Sequence, residues 1–220
     1  MNLTYVLEQL ELNRQQGVLQ NLVADTKNEE NTGSTFEEHF LQLLIKFYKL
    51  TELKNLTPTE KKRIDSRATP KAHIYQSEDG VVVLHLPKSS PDFYIIYPDG
   101  RCLGVELKSS FGKATEPTFN AGLNDGEKVR SIFYLYYKHS TNELILRHGE
   151  QFFPKSASDA LDAINEQVEA LLTTLTAEYK EQLGIYSPWY PRRTKYQSNS
   201  GLWNYCPKLH AQALDLLSKV

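Results

Sequence analysis

Apolar residues recur along this chain with two periods, and the change of period marks the change of element. Between residues 2 and 25, Leu3, Val6, Leu7 and Leu10, then Leu19, Leu22 and Val23, fall three or four apart. That spacing predicts a helical face with a break near Gly17. Asn28 to Ser34 is polar and predicts a loop. Phe36, Phe40, Leu43, Leu44, Phe47 and Tyr48 then form a second helical stripe, for which Ser34 or Thr35 can supply the cap. Thr57-Pro58 predicts the start of a short basic helix over Glu60 to Ser66. From residue 72 the pattern becomes strand-like. Segments 72–76 and 81–86 predict strands, and two further apolar runs flank the turn sequence Pro98-Asp99-Gly100, so residues 91–108 predict a β-hairpin. Residues 109–128, rich in Gly, Thr and Asn, predict a loop or broken helix. Ser131 to Lys138 predicts an aromatic strand, and Glu143 to Arg147 returns beside it across the turn at His139 to Asn142. Residues 156–183 predict one long amphipathic helix, and a short helix closes the chain. Helices on both sides of a run of strands predict an α/β fold of the α+β kind, built as one domain over residues 1–220.

Composition narrows the class. The chain is 40% hydrophobic and 24% charged, ordinary for a globular domain of 220 residues. No apolar run reaches the length of a membrane span, and the amino terminus lacks the layout of a signal peptide, so a cytoplasmic location is expected. Cys102 and Cys206 have neither metal-ligand spacing nor a disulfide framework. A net charge of −2 excludes the strong positive field of a protein that coats DNA without preference. No His-Glu-x-x-His and no Gly-rich phosphate loop followed by Lys and Ser/Thr occurs, which argues against a zinc hydrolase and an ATP-driven motor.

The hairpin carries the candidate chemistry. Side chains alternate along its second strand, so Leu103, Val105 and Leu107 share one face, and Cys102, Gly104, Glu106 and Lys108 the other. Charged residues two apart on an otherwise apolar strand are costly unless they are paired or used. Asp92, on the adjacent strand, places a second carboxylate near Glu106. Two carboxylates facing a small cleft form a hard-oxygen site for Mg²⁺, and a lysine beside them suits phosphate chemistry. Acid-x-Lys tripeptides also occur at Glu52-Leu53-Lys54, Glu60-Lys61-Lys62 and Glu178-Tyr179-Lys180, but in polar or helical sequence, where residues two apart face differently. Pro98-Asp99 is accounted for by the turn.

Pro91-Asp92 with Glu106-Leu107-Lys108 resembles the signature of the PD-(D/E)xK nucleases, which include many type II restriction endonucleases. The resemblance covers roughly residues 33–138. It implies a restriction-endonuclease-like core in the order αβββαβ, within a mixed sheet of four to six strands flanked by helices. It implies Mg²⁺, with Mn²⁺ able to substitute, held by Asp92, Glu106 and the carbonyl of Leu107, and Lys108 orienting the attacking water. Nucleases of this kind bring an acid from the helix before the sheet, and Glu37 resembles it, with Glu38 as competitor. Both also suit the first turn of a helix for electrostatic reasons alone. The activity implied is sequence-specific cleavage of double-stranded DNA to 5′-phosphate and 3′-hydroxyl ends, without ATP. The expected form is a homodimer acting on a palindrome, alongside a cognate DNA methyltransferase as a functional, not physical, partner. A junction resolvase or mismatch nicking enzyme, and an inactive DNA-binding protein, are the alternatives.

A DNA-facing surface is expected from the carboxy-terminal unit, about residues 156–220. Between Tyr186 and Gly201, Arg192, Arg193 and Lys195 offer charge for phosphates or guanine edges, and Gln197 and Asn199 can read adenine. Trp189, Tyr190 and Tyr196 can stack. After Gly184 the basic residues Arg192, Arg193, Lys195, Lys208 and Lys219 face only Asp215, reversing the acidic excess of the preceding helix. Lys61, Lys62 and Arg63, with Arg67 and Lys71, form a second basic cluster that can grip the DNA backbone. For the dimer, the expected interface is either the amino-terminal helices, Leu3 to Val23, or the long helix 156–183.

Overall fold

A computed structural model describes residues 3–24, 32–46, 48–51, 73–86, 91–110, 130–184 and 204–219. Three helices come first: α1 (Leu3–Gln15), α2 (Val18–Ala24) and α3 (Thr32–Leu44). Seven strands follow: β1 (Lys49–Thr51), β2 (His73–Gln76), β3 (Val82–His85), β4 (Phe93–Ile96), β5 (Cys102–Ser110), β6 (Ile132–Lys138) and β7 (Glu143–His148). The chain ends with α4 (Lys155–Glu178), the single turn α5 (Lys180–Leu183) and α6 (Pro207–Ser218). The strands form one mixed sheet in sequence order; every neighbouring pair is antiparallel except β5 and β6, which run parallel.

The period-two alternation sorts the sheet into two faces. Register pairs Phe93 with Val105 and Ile95 with Leu103, so these four lie on one face. That face is covered by Leu3, Val6, Leu7 and Leu10 of α1, Leu19 of α2, Phe36, Phe40 and Leu44 of α3, and Ala213 and Leu217 of α6, all buried in one core with it. Phe40 meets Phe93 with ring centroids 5.2 Å apart, which locks α3 over the centre of the sheet. Burying each such Leu or Phe contributes roughly 1.5–3 kcal/mol, so this helix layer holds the sheet in place. On the opposite face Ile74, Val82, Leu84, Leu86, Tyr94 and Ile96 form a second, smaller cluster. Among the described residues, no helix is long and apolar enough to cross a membrane.

Four sequence expectations change. The sheet has seven strands rather than four to six. Six were legible; the extra one, Lys49–Thr51, has no alternation of its own and becomes a strand only by pairing with His73–Gln76, with Leu50 at the edge 70% exposed. Helix α3 starts at Thr32, so Ser34 and Thr35 lie inside its first turn rather than at its cap. The long helix is broken: Tyr179 leaves helical geometry at φ −98° and ψ 16°, and α5 ends at Gly184, whose φ of 56° favours glycine. The stripe of α1 and α2 lies in the protein's own core rather than free for a partner. The basic helix expected over Glu60 to Ser66 and most of the loop expected over 109–128 lie outside the described residues; Ser109 and Ser110 continue β5.

The turn between β4 and β5 forms where Pro98-Asp99-Gly100 predicts it. Gly100 takes φ 89°, a value that only glycine adopts without strain, and its N–H donates to the Tyr97 carbonyl at 2.8 Å. The carboxy-terminal helix is tied to the last strand by a buried arginine. Arg147, 1% exposed, donates to the carbonyls of Leu146 and, at 2.8 Å, Asn204, while the Gln151 amide donates to the Leu209 carbonyl at 2.7 Å.

Candidate active site

Asp92 sits one step ahead of β4, and the Phe93–Val105 register carries it alongside Glu106 on the face away from the helical core. The Leu107 N–H donates to Asp92 Oδ2 at 2.7 Å, which fixes the carboxylate against β5. Glu106 is 3% exposed, and its Oε1 is paired with the Lys108 ammonium. Its other oxygen, Oε2, is buried and accepts no hydrogen bond from the described residues. The structure thus brings together Asp92, Glu106 and Lys108, the three residues that alternation and the Pro-Asp placement single out.

Electrostatics mark this as a cation-deficient cleft. Burial, then the neighbouring charge of Glu106, pushes the Asp92 carboxyl up to about 8; Lys108 and the Leu107 N–H pull the other way, and Glu37 adds to the rise. Two carboxylates this close in a poorly hydrated site cannot both carry charge comfortably without a cation between them. The orphaned Glu106 Oε2 is the atom such a cation would satisfy. Among the described residues there is no ready-made cage of three or more His, Cys, Asp or Glu side chains. The donor set therefore fits a hard ion that keeps some of its own water or takes oxygen from backbone and substrate, as Mg²⁺ does.

The parallel strand β6 supplies the floor. Register places Tyr134 beside Glu106 and Tyr136 beside Lys108. Tyr134 is 3% exposed, meets Phe152 edge-on at 5.0 Å, and has its phenol pushed up by burial and by the charge of Glu106. The Tyr136 and Ser110 hydroxyls share a 2.6 Å hydrogen bond. These rings lower the local dielectric and so strengthen the attraction between Glu106 and Lys108.

Gly104 keeps this face accessible to Pro91. A Cβ there would stand 2.5 Å from Ile132 Cγ2 and 3.1 Å from Pro91 Cγ. Gly104→Ala is therefore expected to cost about 1–3 kcal/mol of stability by overpacking and to push Pro91-Asp92 away from Glu106. A lower melting temperature together with weaker divalent-cation binding is the expected result; unchanged values of both would show that Ile132 yields instead.

Glu37 projects from α3 just after Phe36, which stacks on Tyr137 at 5.8 Å. Its Oε1 lies 2.7 Å from His85 Nε2, and its charge reaches Asp92. Glu38, one residue further round the helix, is exposed. Arg192, Arg193, Lys195, Tyr196, Gln197 and Asn199, and Lys61, Lys62 and Arg63, lie outside the described residues. His85 went unread in the sequence, although a histidine inside the apolar run Val81 to Leu86, just ahead of Pro91-Asp92, signals a buried polar ring in need of a partner. A separate cavity of about 380 Å³ opens between α1, β7 and α6, lined by Leu7, Arg14, Leu144 and His210 among others. Its arginine is already committed, to Glu11 and to the Asn142 carbonyl.

Comparison of the chain with protein-family models, with curated proteins and with solved structures finds no match.

Proposed function

We propose that the protein is a Mg²⁺-dependent, sequence-specific endonuclease of double-stranded DNA, of the type II restriction kind. The observation that carries this reading is the buried Asp92–Glu106 pair with Lys108 bound to Glu106 and Glu106 Oε2 left without a partner among the described residues. The order α3, β3, β4, β5, then β6 parallel to β5, supports a restriction-endonuclease-like core, with the segment between β5 and β6 outside the described residues. Asp92, Glu106 and the Leu107 carbonyl would hold the ion. Bound there, Mg²⁺, or Mn²⁺ in its place, would neutralise charge on the scissile phosphate and lower the pKa of water.

The chain's own groups account for the rest. Lys108 orients the attacking water and offsets negative charge as it accumulates on the phosphate oxygens. Tyr134 and Tyr136 exclude bulk water from the floor. Arg192, Arg193 and Lys195, with Tyr196, Gln197 and Asn199 beside them, are proposed to grip and read the DNA, and Lys61, Lys62 and Arg63 to hold its backbone. Digestion of supercoiled plasmid and phage DNA with Mg²⁺, then with EDTA, tests the activity. Discrete fragments that vanish with EDTA are expected. Cutting confined to branched or mismatched DNA would indicate a structure-specific nuclease instead, and binding without cutting an inactive DNA-binding protein.

A single site cuts one strand, so a two-fold pair of chains on a palindrome is the arrangement proposed for double-strand cleavage. Of the two stripes expected to serve it, that of α4 is exposed among the described residues: Ile164 is 55% exposed and Leu171 58%, with Val168 and Leu175 exposed between and after them. Asp159, Asp162, Glu166 and Glu169 fall on the opposite side of the helix, so two copies can meet along this stripe without bringing like charges together. Ile164→Glu with Leu171→Glu is expected to yield a folded monomer in sedimentation, one that nicks plasmid rather than linearising it. A doubly substituted protein that still sediments as a dimer would place the interface elsewhere.

A further inference from the structure

We propose that His85 is a positioning residue of the candidate active site: it clamps the Glu37 carboxylate where its charge reaches Asp92, so that a helix adds a negative charge to the field of a centre otherwise built on strands. The inference rests on the nuclease reading and extends it to a residue that no motif identifies. It starts from geometry. His85 closes β3 and pairs in register with Phe93, the residue after Asp92. The two rings stack at 4.7 Å with an interplanar angle of 12°, and His73 approaches from the other strand at 5.7 Å. The imidazole plane is therefore set by the sheet before Glu37 is considered.

An ionised carboxylate only accepts, so in the 2.7 Å contact with Glu37 Oε1 the proton sits on His85 Nε2. His85 is 8% exposed, and its Nδ1 is buried with no hydrogen-bond partner among the described residues. Leaving a buried ring nitrogen unsatisfied is unfavourable, and a leucine or phenylalanine would fill this apolar position without that cost. The hydrogen bond to Glu37 is what the histidine contributes in return.

Glu37 needs such a restraint. Its side chain is 23% exposed, has several rotatable bonds, and stands near the negative charge of Asp92, which favours its swinging away into water. With Nε2–H holding one oxygen, the carboxylate is kept where its charge reaches Asp92. Glu37, Asp92 and Glu106 together with Lys108 then sum to two negative charges when all are ionised, the complement of one divalent cation. A groove made of strands alone, with the Glu106–Lys108 pair nearly neutral, would hold such a cation more weakly. The clamp thus acts on cation affinity and on the placing of the bound ion's water, through Glu37 and not by touching substrate.

The test separates the hydrogen bond from the ring. His85→Phe keeps the stack on Phe93 and removes the donor; His85→Gln puts an amide N–H near the position of Nε2 and loses the ring. Mg²⁺ and Mn²⁺ binding by calorimetry, and cleavage of supercoiled plasmid at saturating Mg²⁺, are measured on the full chain, with thermal melts to confirm folding. His85→Phe is expected to weaken cation affinity and lower kcat by roughly 10–100-fold, and His85→Gln to recover most of both. Glu37→Gln is expected to match or exceed the loss in His85→Phe, and the double variant to lose no more than Glu37→Gln alone, because both changes remove one device. Glu38→Gln is the unaffected control. Equal cation affinity in His85→Phe and wild type, or a full additional loss when His85→Phe is placed on Glu37→Gln, overturns the clamp while leaving the nuclease reading intact. A wild-type protein that neither binds the cations nor cuts DNA overturns both.

Discussion

Lys108→Ala, Glu106→Gln and Asp92→Asn are each expected to lower DNA cleavage by at least ~10²-fold, the scale of a positioned acid–base or electrostatic group. The three side chains converge on one face: Asp92 is held by the Leu107 N–H at 2.7 Å, and Glu106 pairs with Lys108 next to it. The consequences for folding differ. Glu106→Gln and Asp92→Asn replace a carboxylate by an amide of the same shape. Lys108→Ala leaves the Glu106 side chain, 5% exposed, without its cation, and removing one partner of a buried pair costs up to about 3–5 kcal/mol. Cleavage is therefore compared at 20 °C or below among variants whose circular dichroism matches wild type, with Lys108→Gln as a milder replacement. Wild-type rates in any folded variant would falsify the site assignment.

In the absence of divalent cations, Asp92→Asn is expected to melt higher than wild type above neutral pH. The folded Asp92 carboxyl is pushed up to about 8, chiefly by burial and then by Glu106, whereas in the unfolded chain it titrates near 4. Between those values the folded state holds a proton that the unfolded state has released, so the derivative of unfolding free energy with pH is negative. Wild type thus loses stability as pH rises from about 4 through about 8. Asparagine keeps an oxygen for the Leu107 N–H and carries no charge, so this position adds nothing to the pH dependence over that window. The difference at pH 8 is expected to be on the order of 2 kcal/mol, the cost of one poorly compensated buried group, or roughly 4–8 °C for a chain of this size. Mg²⁺ should close the gap by raising wild type, since only wild type retains both carboxylates to bind it. If the variant melts lower than wild type at pH 8 without metal, the cleft does not hold two repelling carboxylates.

The sequence shows what periodicity within one element can show. Alternation through Cys102 to Lys108 separates Leu103, Val105 and Leu107, which the structure buries in the core, from Glu106 and Lys108 on the other face. That separation follows from the pleat of a single strand and needs no partner to define it. The hairpin turn at Pro98-Asp99-Gly100 is legible for the same reason, because its conformation is set by its own residues. So were six of the strands and the helical stripe from Phe36 to Leu44, though not its expected continuation to Tyr48, which lies beyond the helix.

Tertiary structure decides what depends on register between distant segments. Lys49–Thr51 is a strand only because β2 lies beside it. Two helical stripes look alike in sequence, yet that of α1 packs onto the sheet while that of α4 stays exposed; only the folded contacts distinguish a core stripe from a free one. Parallel pairing of β5 with β6 brings Tyr134 and Tyr136 under Glu106 and Lys108, a neighbourhood that spacing along the chain does not encode. His85 and Glu37 are separated by 48 positions and meet because α3 packs over the sheet face that His85 shares with Phe93. Local patterns determine which way a side chain points from its own strand or helix. Which side chain it then faces is set by how the elements pack, because burying their apolar faces together chooses the register that no single element contains.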